Sequence, residues 1–372
     1  MVGIVLVSFV LIIVIVGVLF VNFNPEFGGS PTEEKSKEYS KSINYKEGVF
    51  QNKTKVEMSF TFGQYVEMIL KFFGTQPNTV PSKLLPVSKL NQSDIENYRN
   101  NYPRVIWYGH SAILLQIENK NILIDPMFGD VPAPHPWLGK SRFTEGLPLE
   151  IEQMPRVDAV LFSHDHYDHL DYGTIIKLKD KVDNFYVPLG LGNHLLKWGI
   201  EAERIKEMDW WSETKFDNLT FACTPAQHFS GRGISDRNST LWASWVIKSD
   251  STSIYFSGDS GYNTHFNEIG EKYGPFDFAM MECGQYNQQW KQIHMMPEET
   301  VQAGIDLRAR LIMPIHWGAF KLAFHTWTDP VERLEKESKR LGLPITTPII
   351  GVPIVLSNPP VAPHDKWWES IK

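Results

Sequence analysis

The feature that most constrains this chain is a dense run of histidines and carboxylates directly after a short apolar segment. The run reads Ser163-His164-Asp165-His166-Tyr167-Asp168-His169-Leu170-Asp171, and the apolar segment before it spans residues 158–162. Because side chains alternate along an extended chain, His164 and His166 face one side, while Asp168 and His169 can turn toward a second point. Imidazole and carboxylate groups are ligands of zinc and related cations. The run therefore predicts a site for two metal ions at the end of a strand, with a solvated polar loop as the alternative.

A binuclear site needs more ligands than this run supplies, because each zinc ion takes about four. Candidates follow three later apolar segments, which lead into His228, Asp259 and His316 respectively. Each is weak when taken singly, since a lone histidine after a strand is more often structural and a lone Gly-Asp-Ser-Gly is more often a turn. Their shared position after strands makes them candidate ligands as a group.

After Tyr102 the chain alternates short apolar runs with turn residues, which predicts strands. These predicted strands span 105–107, 113–117, 122–124, 159–162, 185–187, 219–223, 242–247, 254–256, 278–281 and 311–315. Helical patterns lie between some of them, at 173–179, 191–198, 297–308 and 330–341. Hairpins mixed with strand–helix alternation predict one α/β domain in which helices cover a pair of packed sheets.

The order His-x-His-x-Asp-His, then a later His, a later Asp and a final His, resembles the metallo-β-lactamase superfamily. Within it, several words are similar to those of the N-acylphosphatidylethanolamine-hydrolysing phospholipase D family. They are Trp107-Tyr108-Gly109-His110, 163–171, Thr224-Pro225-Ala226-Gln227-His228, 258–262, 274–277, His294 with 297–299, and Ile315-His316-Trp317-Gly318. The resemblance covers residues 102–342 and implies an αβ/βα sandwich of two mixed sheets, with a binuclear metal site at one edge, in a membrane-anchored, bacterial-type member.

The resemblance also implies a ligand set for two zinc ions per chain. One ion would be held by His164, His166 and His228, the other by Asp168, His169 and His316, and Asp259 would bridge them. Iron or manganese suits the same donors. A hydroxide between the ions would attack the phosphodiester, and catalytic roles would fall on Asp168, Asp259 and His294. Protonation of the leaving group would fall to Asp259 or a nearby histidine.

Contacts outside the ligand set are less constrained. His294 matches a family position just before a helix start and is expected to contact phosphate, with a capping or core role as the alternative. Gln285 and Tyr286 follow a buried strand and are expected to line the mouth of the site. Asp125 is expected to accept the N–H of a ligand imidazole, unless it forms an Asx turn. His110 is expected to support the sheet rather than to bind metal.

The run from Val2 to Val21 carries no charge, and as a helix it would be about 30 Å long, enough to cross a membrane. A cleaved signal peptide is the alternative, but no basic region precedes the run and no small-residue cleavage site follows it. We expect residues 1–21 to form a single-pass anchor, with the side of the membrane unspecified. Residues 22–98 would form a linker and a strap packed on the domain through an amphipathic stretch at 65–73, and residues 99–372 the hydrolase domain.

Composition narrows the choice of substrate. A net charge of −7 and a pI near 6.0 argue against a nucleic-acid partner. An anchor favours a membrane phospholipid substrate, and paired residues such as Trp367 and Trp368 either reach lipid headgroups or pack in the domain. We therefore predict a zinc phosphodiesterase that hydrolyses N-acylphosphatidylethanolamine. A lactonase or phosphate-ester hydrolase of the same superfamily, and a non-catalytic scaffold, are the alternatives; a homodimer is left open.

Overall fold

The computed structural model describes residues 2–57, 61–74 and 76–372; Met1 of the predicted anchor and residues 58–60 and 75 of the predicted linker lie outside the described residues. The helices are α1 (Val2–Phe23), α2 (Glu33–Tyr39), α3 (Phe62–Phe73), α4 (Gln92–Glu96), α5 (Tyr172–Leu178), α6 (Gly192–Lys197), α7 (His265–Tyr273), α8 (Pro297–Asp306) and α9 (Asp329–Leu341). The strands are β1 (Tyr45–Lys46), β2 (Val49–Phe50), β3 (Arg104–Trp107), β4 (Ile113–Ile117), β5 (Lys120–Ile124), β6 (Val157–Leu161), β7 (Val182–Pro188), β8 (Ile205–Met208), β9 (Glu213–Phe216), β10 (Leu219–Thr224), β11 (Ser244–Lys248), β12 (Ser253–Phe256), β13 (Phe278–Glu282), β14 (Ile312–Ile315) and β15 (Ile354–Val355).

Two large mixed sheets form the body of the domain. The first has the strand order β15-β3-β4-β5-β6-β7-β8, and the second has the order β14-β13-β12-β11-β10-β9. Antiparallel neighbours such as β4 and β5 are joined by tight hairpins, whereas parallel neighbours such as β12 and β13 are joined through a helix. The predicted αβ/βα sandwich is confirmed.

The main core lies between the two sheets because alternate side chains of each strand face inward. Trp107 of β3 shares one buried cluster with Phe221 of β10 and Met280 of β13. The intervening residues face helices: Ile106 belongs to a second cluster with α5 and α6, and Tyr255 to a third with α7 and α8. Both faces of each sheet are covered, which explains why the strands read as continuous apolar runs.

Strand direction brings the candidate site residues to one edge. In the first sheet β3, β5 and β6 run the same way, because two antiparallel steps and then one parallel step connect them. In the second sheet β10, β12, β13 and β14 run the same way by the same reasoning. The carboxyl ends of these strands lead into the loops that carry His110, Asp125, residues 163–171, His228, Asp259 and His316.

The predicted strands all overlap observed ones, but after Tyr102 the sequence pattern missed β8, β9, β15 and helix α7, and before it β1, β2, α2 and α4. The strands β8 and β9 lie at sheet edges and contain charged residues among few apolar ones, as in Ile205-Lys206-Glu207-Met208. Strand β15 has only two residues. Short or polar edge strands carry too weak an apolar signal to be recognised locally.

Directly after α1, residues 24–29 are docked on the domain and do not form a free linker. The carbonyl of Glu26 accepts a hydrogen bond from Arg232 Nε at 2.7 Å, and the carbonyl of Gly28 accepts one from Lys197 Nζ at 2.6 Å. Residues 22–98 are expected to form a linker and a strap packed on the domain, and the packing begins here, at the start of this range, through main-chain carbonyls that carry no sequence signal.

Helix α1 has the length and composition of a membrane span. Within the described residues, the window Leu6–Phe23 is the one candidate, and none of it is buried against the domain. A signal sequence near the N-terminus has the same features, so the anchor stays a prediction.

The amphipathic stretch expected to pack on the domain forms α3, but its apolar side faces outward. Phe62, Ile69 and Leu70 are 84%, 54% and 67% exposed, whereas Gln64 and Met68 are partly buried. The expected packing is therefore wrong in its direction. The amphipathic period fixes which residues share a face, but the contacts on either side of a helix decide which face points inward.

Trp367 and Trp368 lie in the core rather than at the surface. Trp368 is fully buried, and the ring of Trp367 stacks on that of Trp317 at 5.6 Å. Of the two alternatives for this pair, packing is the one observed.

Arg232 links the segment after α1 to the histidine loop. In addition to its bond to Glu26, its Nη1 donates to the carbonyls of Asp165 and Leu170 at 2.6 and 2.7 Å. We predict that Arg232→Met lowers the free energy of unfolding by about 3 kcal/mol, because it leaves these buried carbonyls without a donor. Thermal unfolding in detergent and hydrogen exchange of residues 24–29, which should become faster, check this.

Arg310→Met is the matched control, because Arg310 is 68% exposed and pairs only at the surface with Asp277. It should cost less than about 0.5 kcal/mol. Unchanged exchange of residues 24–29 in Arg232→Met would contradict the proposed link.

Candidate metal centre and active-site cavity

Three imidazoles converge on one side of the site. His166 Nδ1 lies 2.9 Å from His164 Nε2 and 3.1 Å from His228 Nε2. Asp259 Oδ2 lies 3.8 Å from the same nitrogens of His164 and His228. The loops after β6, β10 and β12 thus bring residues up to 95 positions apart into one group of four candidate ligands.

A second group forms beside the first. Asp168 Oδ2 lies 3.5 Å from His169 Nε2 and 3.9 Å from His316 Nδ1. His110 completes this group, with its Nε2 2.8 Å from the same carboxylate oxygen. His110 is expected to support the sheet rather than to bind metal, and its ring, in the loop after β3, contacts the carboxylate of the candidate ligand Asp168.

Asp259 contacts both groups. Its Oδ2 lies 3.2 Å from His169 Nε2, and its Oδ1 lies 3.1 Å from His316 Nδ1. Both of these histidines belong to the second group, and Oδ2 also lies 3.8 Å from His164 and His228 of the first, so the carboxylate of Asp259 adjoins both groups through Oδ2.

Two of the ring nitrogens that point away from the centre have partners that fix the tautomer. His169 Nδ1 lies 2.7 Å from Asp125 Oδ2, and His228 Nδ1 lies 2.9 Å from the carbonyl of Ile293. Asp125 also accepts the backbone N–H of Ser163 at 2.7 Å. A ring N–H donated outward leaves the inward nitrogen as a lone-pair donor, which is the tautomer that binds a cation.

Burial keeps most of these imidazoles neutral. Burial, followed by the nearby His169, lowers the pKa of His164 well below its usual value, and burial lowers the pKa of His166 to about 4. His169 is the exception: burial opposes its charge, but Asp259 and its neighbours raise its pKa well above the usual value. Burial also raises the pKa of Asp259 to about 6. Protein groups alone therefore compensate the charge of the buried carboxylates in this centre poorly.

The residues present fit two cations. Within the described part of the chain, His169 Nε2 and Asp259 Oδ1 are buried without a hydrogen bond, although buried polar groups normally have a partner. Tetrahedral zinc with bonds of 2.0–2.1 Å places ligand nitrogens about 3.3 Å apart, close to the 2.9 and 3.1 Å between the imidazoles of the first group. The donors are all imidazole and carboxylate, which suits zinc, iron or manganese.

Four side chains of the site stand on left-handed backbone. The φ angles of His110, Asp125, Gln285 and His316 are 54°, 41°, 59° and 65°. Such angles are uncommon for residues other than glycine and persist where the surroundings enforce them. Here His316 donates its N–H to the carbonyl of His110 at 3.0 Å, which ties the two loops together. The ligands are therefore held in place before any cation binds.

The centre opens into a cavity of about 260 Å³. Its polar floor is formed by His166, Asp168, Asp259, His294 and His316. Gln285 and four apolar residues complete the lining: Phe229, Trp290, Ile293 and Leu322. A polar floor beneath apolar walls suits an amphiphilic substrate.

His294 lies at the edge of this floor beside Glu282. The two rings of His294 and His316 stack at 5.3 Å, and His294 Nδ1 contacts Glu282 Oε1 directly. Glu282 is fully buried and accepts the N–H of Ser260 at 2.8 Å; burial raises its pKa well above the usual value. The sequence analysis missed Glu282, although an acidic residue closing the apolar run 278–281 could have identified it.

The two other predicted substrate contacts differ in position. Gln285 lines the cavity, but its amide donates to the carbonyl of Phe320 at 3.1 Å and its Oε1 accepts the N–H of Leu322 at 2.9 Å. It therefore supports the loop after β14. Tyr286 is not among the lining residues of the cavity; its hydroxyl donates to Asp329 and its ring stacks on His325. The expectation for Tyr286 is wrong, because Asp329 and His325 hold its hydroxyl and its ring away from the cavity.

Comparison with known proteins agrees with this geometry. Residues 120–317 match the family model described as Beta-lactamase superfamily domain. The uncharacterized protein Rv0906 of Mycobacterium tuberculosis is 38% identical over 334 residues, which are 88% of this chain and 87% of that protein. N-acyl-phosphatidylethanolamine-hydrolyzing phospholipase D 1 of Caenorhabditis elegans is 32% identical over 265 residues, 68% of this chain and 74% of that protein.

Among solved structures, Igni18, a metallo hydrolase from the archaeon Ignicoccus hospitalis, has the same fold. Its TM-score is 0.50 at 19% identity, over 68% of this chain and 98% of that one. The chain therefore belongs to the metallo-β-lactamase superfamily of metal-dependent hydrolases, and it is a relative of the N-acylphosphatidylethanolamine-hydrolysing phospholipases D.

Proposed function

We propose that this protein is a membrane-anchored phosphodiesterase of the phospholipase D type, which hydrolyses N-acylphosphatidylethanolamine to phosphatidic acid and an N-acylethanolamine. The observation that carries the proposal is the cavity, which places a cluster of candidate metal ligands beneath apolar walls. Such a cavity matches a substrate with a phosphodiester next to hydrocarbon. The relative in Caenorhabditis elegans is named for this reaction, which supports the choice.

Each group of the centre would hold one zinc ion, with iron or manganese as alternatives. His164, His166 and His228 would bind the first, Asp168, His169 and His316 the second, and Asp259 would contact both. When bound, two divalent cations lower the pKa of water and offset negative charge on a phosphoryl group. His110 donates to Asp168 and would orient that carboxylate.

The protein's own groups account for the proton that the reaction needs. Hydrolysis forms a bond between a water oxygen and phosphorus, breaks the P–O bond to the ethanolamine, and transfers a proton to the departing oxygen. His294 lines the cavity, and the Glu282 carboxylate at its Nδ1 would stabilise the doubly protonated imidazolium, from which Nε2 would donate a proton to the departing oxygen. Asp259, which also lines the cavity, is the second candidate donor.

The apolar walls would contact the lipid next to its headgroup. Phe229, Trp290 and Leu322 belong to different loops and enclose the floor from separate sides. Burying hydrocarbon against such side chains stabilises a lipid by about 25 cal/mol per Å² of apolar surface. Helix α1 would hold the enzyme on the membrane that contains its substrate.

The first prediction concerns the ligand set. His166→Ala should reduce bound metal from about two equivalents per chain to about one or fewer, because it removes one of the three histidines that would bind the first ion. It should also lower lipid turnover at least 100-fold. The fold should be retained, since His166 stands in a loop. Metal analysis and turnover on the same preparation check this.

His135→Ala is the matched control, since His135 lies outside both ligand groups, beside Trp137. It should keep its metal and its turnover. Full turnover in His166→Ala would show that the centre is assigned to the wrong residues.

The second prediction concerns Glu282, which positions His294. Glu282→Gln should lower turnover about tenfold with metal content unchanged, because a neutral amide holds the imidazole less firmly than a carboxylate. Glu298→Gln, on the nearby helix α8 and paired with Arg333 at the surface, is the control and should have no effect. A loss of metal in Glu282→Gln would contradict a role limited to His294.

The third prediction concerns the substrate. The full chain in nanodiscs, loaded with zinc, should release phosphatidic acid from N-acylated phosphatidylethanolamine and should leave a panel of lactones intact. Mass spectrometry of the products checks this. Lactone opening without release from any phospholipid would replace the proposed function by the lactonase alternative.

A further inference from the structure

Helix α3 exposes its apolar side, which is the opposite of what is expected for a helix on the surface of a soluble domain. The apolar residues Phe62, Tyr65, Val66, Ile69 and Leu70 recur at helical spacing and are all exposed. The side turned to the domain carries Gln64 and Met68, which are partly buried. A surface helix normally buries its apolar stripe, so the outward stripe of α3 is suited to a hydrophobic environment outside the protein.

The chain before α3 is fixed to the wall of the active-site cavity. Asn52 donates from its side chain to the carbonyl of His228 at 2.7 Å. Glu57 donates its N–H to Gln292 Oε1 at 2.8 Å, immediately before the lining residues Ile293 and His294. The segment thus approaches α3 along one side of the cavity.

The segment before α3 also contacts a second side. Phe50 donates its N–H to the carbonyl of Asn238 at 2.8 Å. In the same loop, the Arg237 guanidinium lies 4.2 Å above the ring of Phe229, which lines the cavity. The segment that leads to α3 is therefore bonded to the loop that carries this apolar wall.

After α3 the chain returns to the opposite rim. The carbonyl of Asn78 accepts the N–H of Trp327 at 2.9 Å. Thr79 lies in a small pocket with Gln285 and Phe320, and Gln285 also lines the main cavity. Because the segment is attached on both sides, α3 is held at the mouth of the cavity.

The same loop also holds the base of α1. Arg237 and Phe229 belong to the loop 229–238, whose Arg232 donates to the carbonyl of Glu26 three residues after α1 ends. One short loop therefore contacts both the chain after the candidate membrane span and the segment before α3. A bilayer crossed by α1 would lie near this face of the domain.

We propose that α3 lies in the bilayer surface with its apolar stripe among the lipid chains, and that a lipid enters the active-site cavity directly beside it. Two observations favour a bilayer over a protein partner. The loop that bonds the segment before α3 also bonds the chain after a helix that has the composition of a span. The charged residues of α3, Glu67 and Lys71, pair with each other at 2.6 Å and offer no net charge for a specific partner.

A depth measurement tests the position of α3 without reference to turnover. Ile69→Cys, labelled with an environment-sensitive dye in the full chain, is reconstituted in phosphatidylcholine nanodiscs with or without bromine on the acyl chains. The native Cys223 and Cys283 are buried and can remain. The dye should lose at least half of its fluorescence in brominated lipid, because an interfacial helix inserts its apolar side by about 5–10 Å.

Val361→Cys is the matched control. Val361 is 63% exposed, similar to Ile69, but it pairs with β15 next to Arg104. Arg104 begins β3, at the end of the sheet away from the centre. Its label should be quenched by less than a tenth, and equal quenching at the two positions would overturn the proposal. In lipid-free detergent, shielding of the Ile69 label is measured as a function of protein concentration: shielding that increases with concentration would overturn the proposal, because it would show that a second copy of the chain covers the helix.

A kinetic measurement tests lipid entry and rests on the proposed function. Ile69→Ser combined with Leu70→Ser should lower turnover of N-acylphosphatidylethanolamine in nanodiscs at least fivefold, with turnover of a short-chain monomeric analogue unchanged. Val361→Ser should alter neither. Equal turnover of the bilayer substrate would overturn the entry route. If the wild type were inactive while the label at Ile69→Cys was quenched, the result would count against the proposed function alone, since quenching does not depend on turnover.

Discussion

The contact on which the rest of the site depends is the carboxylate of Asp259 between two groups of imidazoles. It is almost fully buried, its two oxygens face His169 and His316, and one oxygen lacks a hydrogen bond within the described residues. Burying a charge without compensation costs several kcal/mol, and burial lowers the pKa of the neighbouring imidazoles other than His169, whose pKa is raised. The arrangement is stable as a cation site and poorly compensated as a protein-only cluster. The left-handed backbone at His110 and His316 fits this view, because it shows that the loops are constrained around the centre rather than relaxed individually.

The layers of the molecule follow outward from this centre. The strand ends supply the polar floor, the loops after them supply apolar walls, and the N-terminal segment packs beside the mouth. Arg232 contributes to two of these layers, since it bonds the loop of His166 and the chain that follows α1. Glu282 and Gln285 support the cavity indirectly: the first holds His294 and the second holds the loop that carries Leu322. The geometry of the site and the docking of the chain after α1 thus depend on shared contacts.

Sequence reasoning succeeded where the chemistry was local. His164, His166, Asp168 and His169 lie within six residues, and His228, Asp259 and His316 each follow an apolar strand, so a rule about strand ends placed them at one edge. The predictions failed for functional residues that stand alone among apolar residues. His110 was read as a support for the sheet, Glu282 was overlooked, and Tyr286 was assigned to a cavity that only its neighbour lines. One residue carries no periodicity, so only the packed structure reveals its partners.

The sequence by itself determined the superfamily, the αβ/βα sandwich, the candidate ligands and an apolar segment long enough to span a membrane, because each of these is written in adjacent residues or in strand periodicity. The tertiary structure alone decided that residues 24–29 are docked, that Trp367 and Trp368 are buried, and that α3 turns its apolar side outward. The physical reason is that an amphipathic pattern states which side chains share a face, whereas the direction of that face is set by distant contacts at both ends of the helix, here with Gln292 and Trp327.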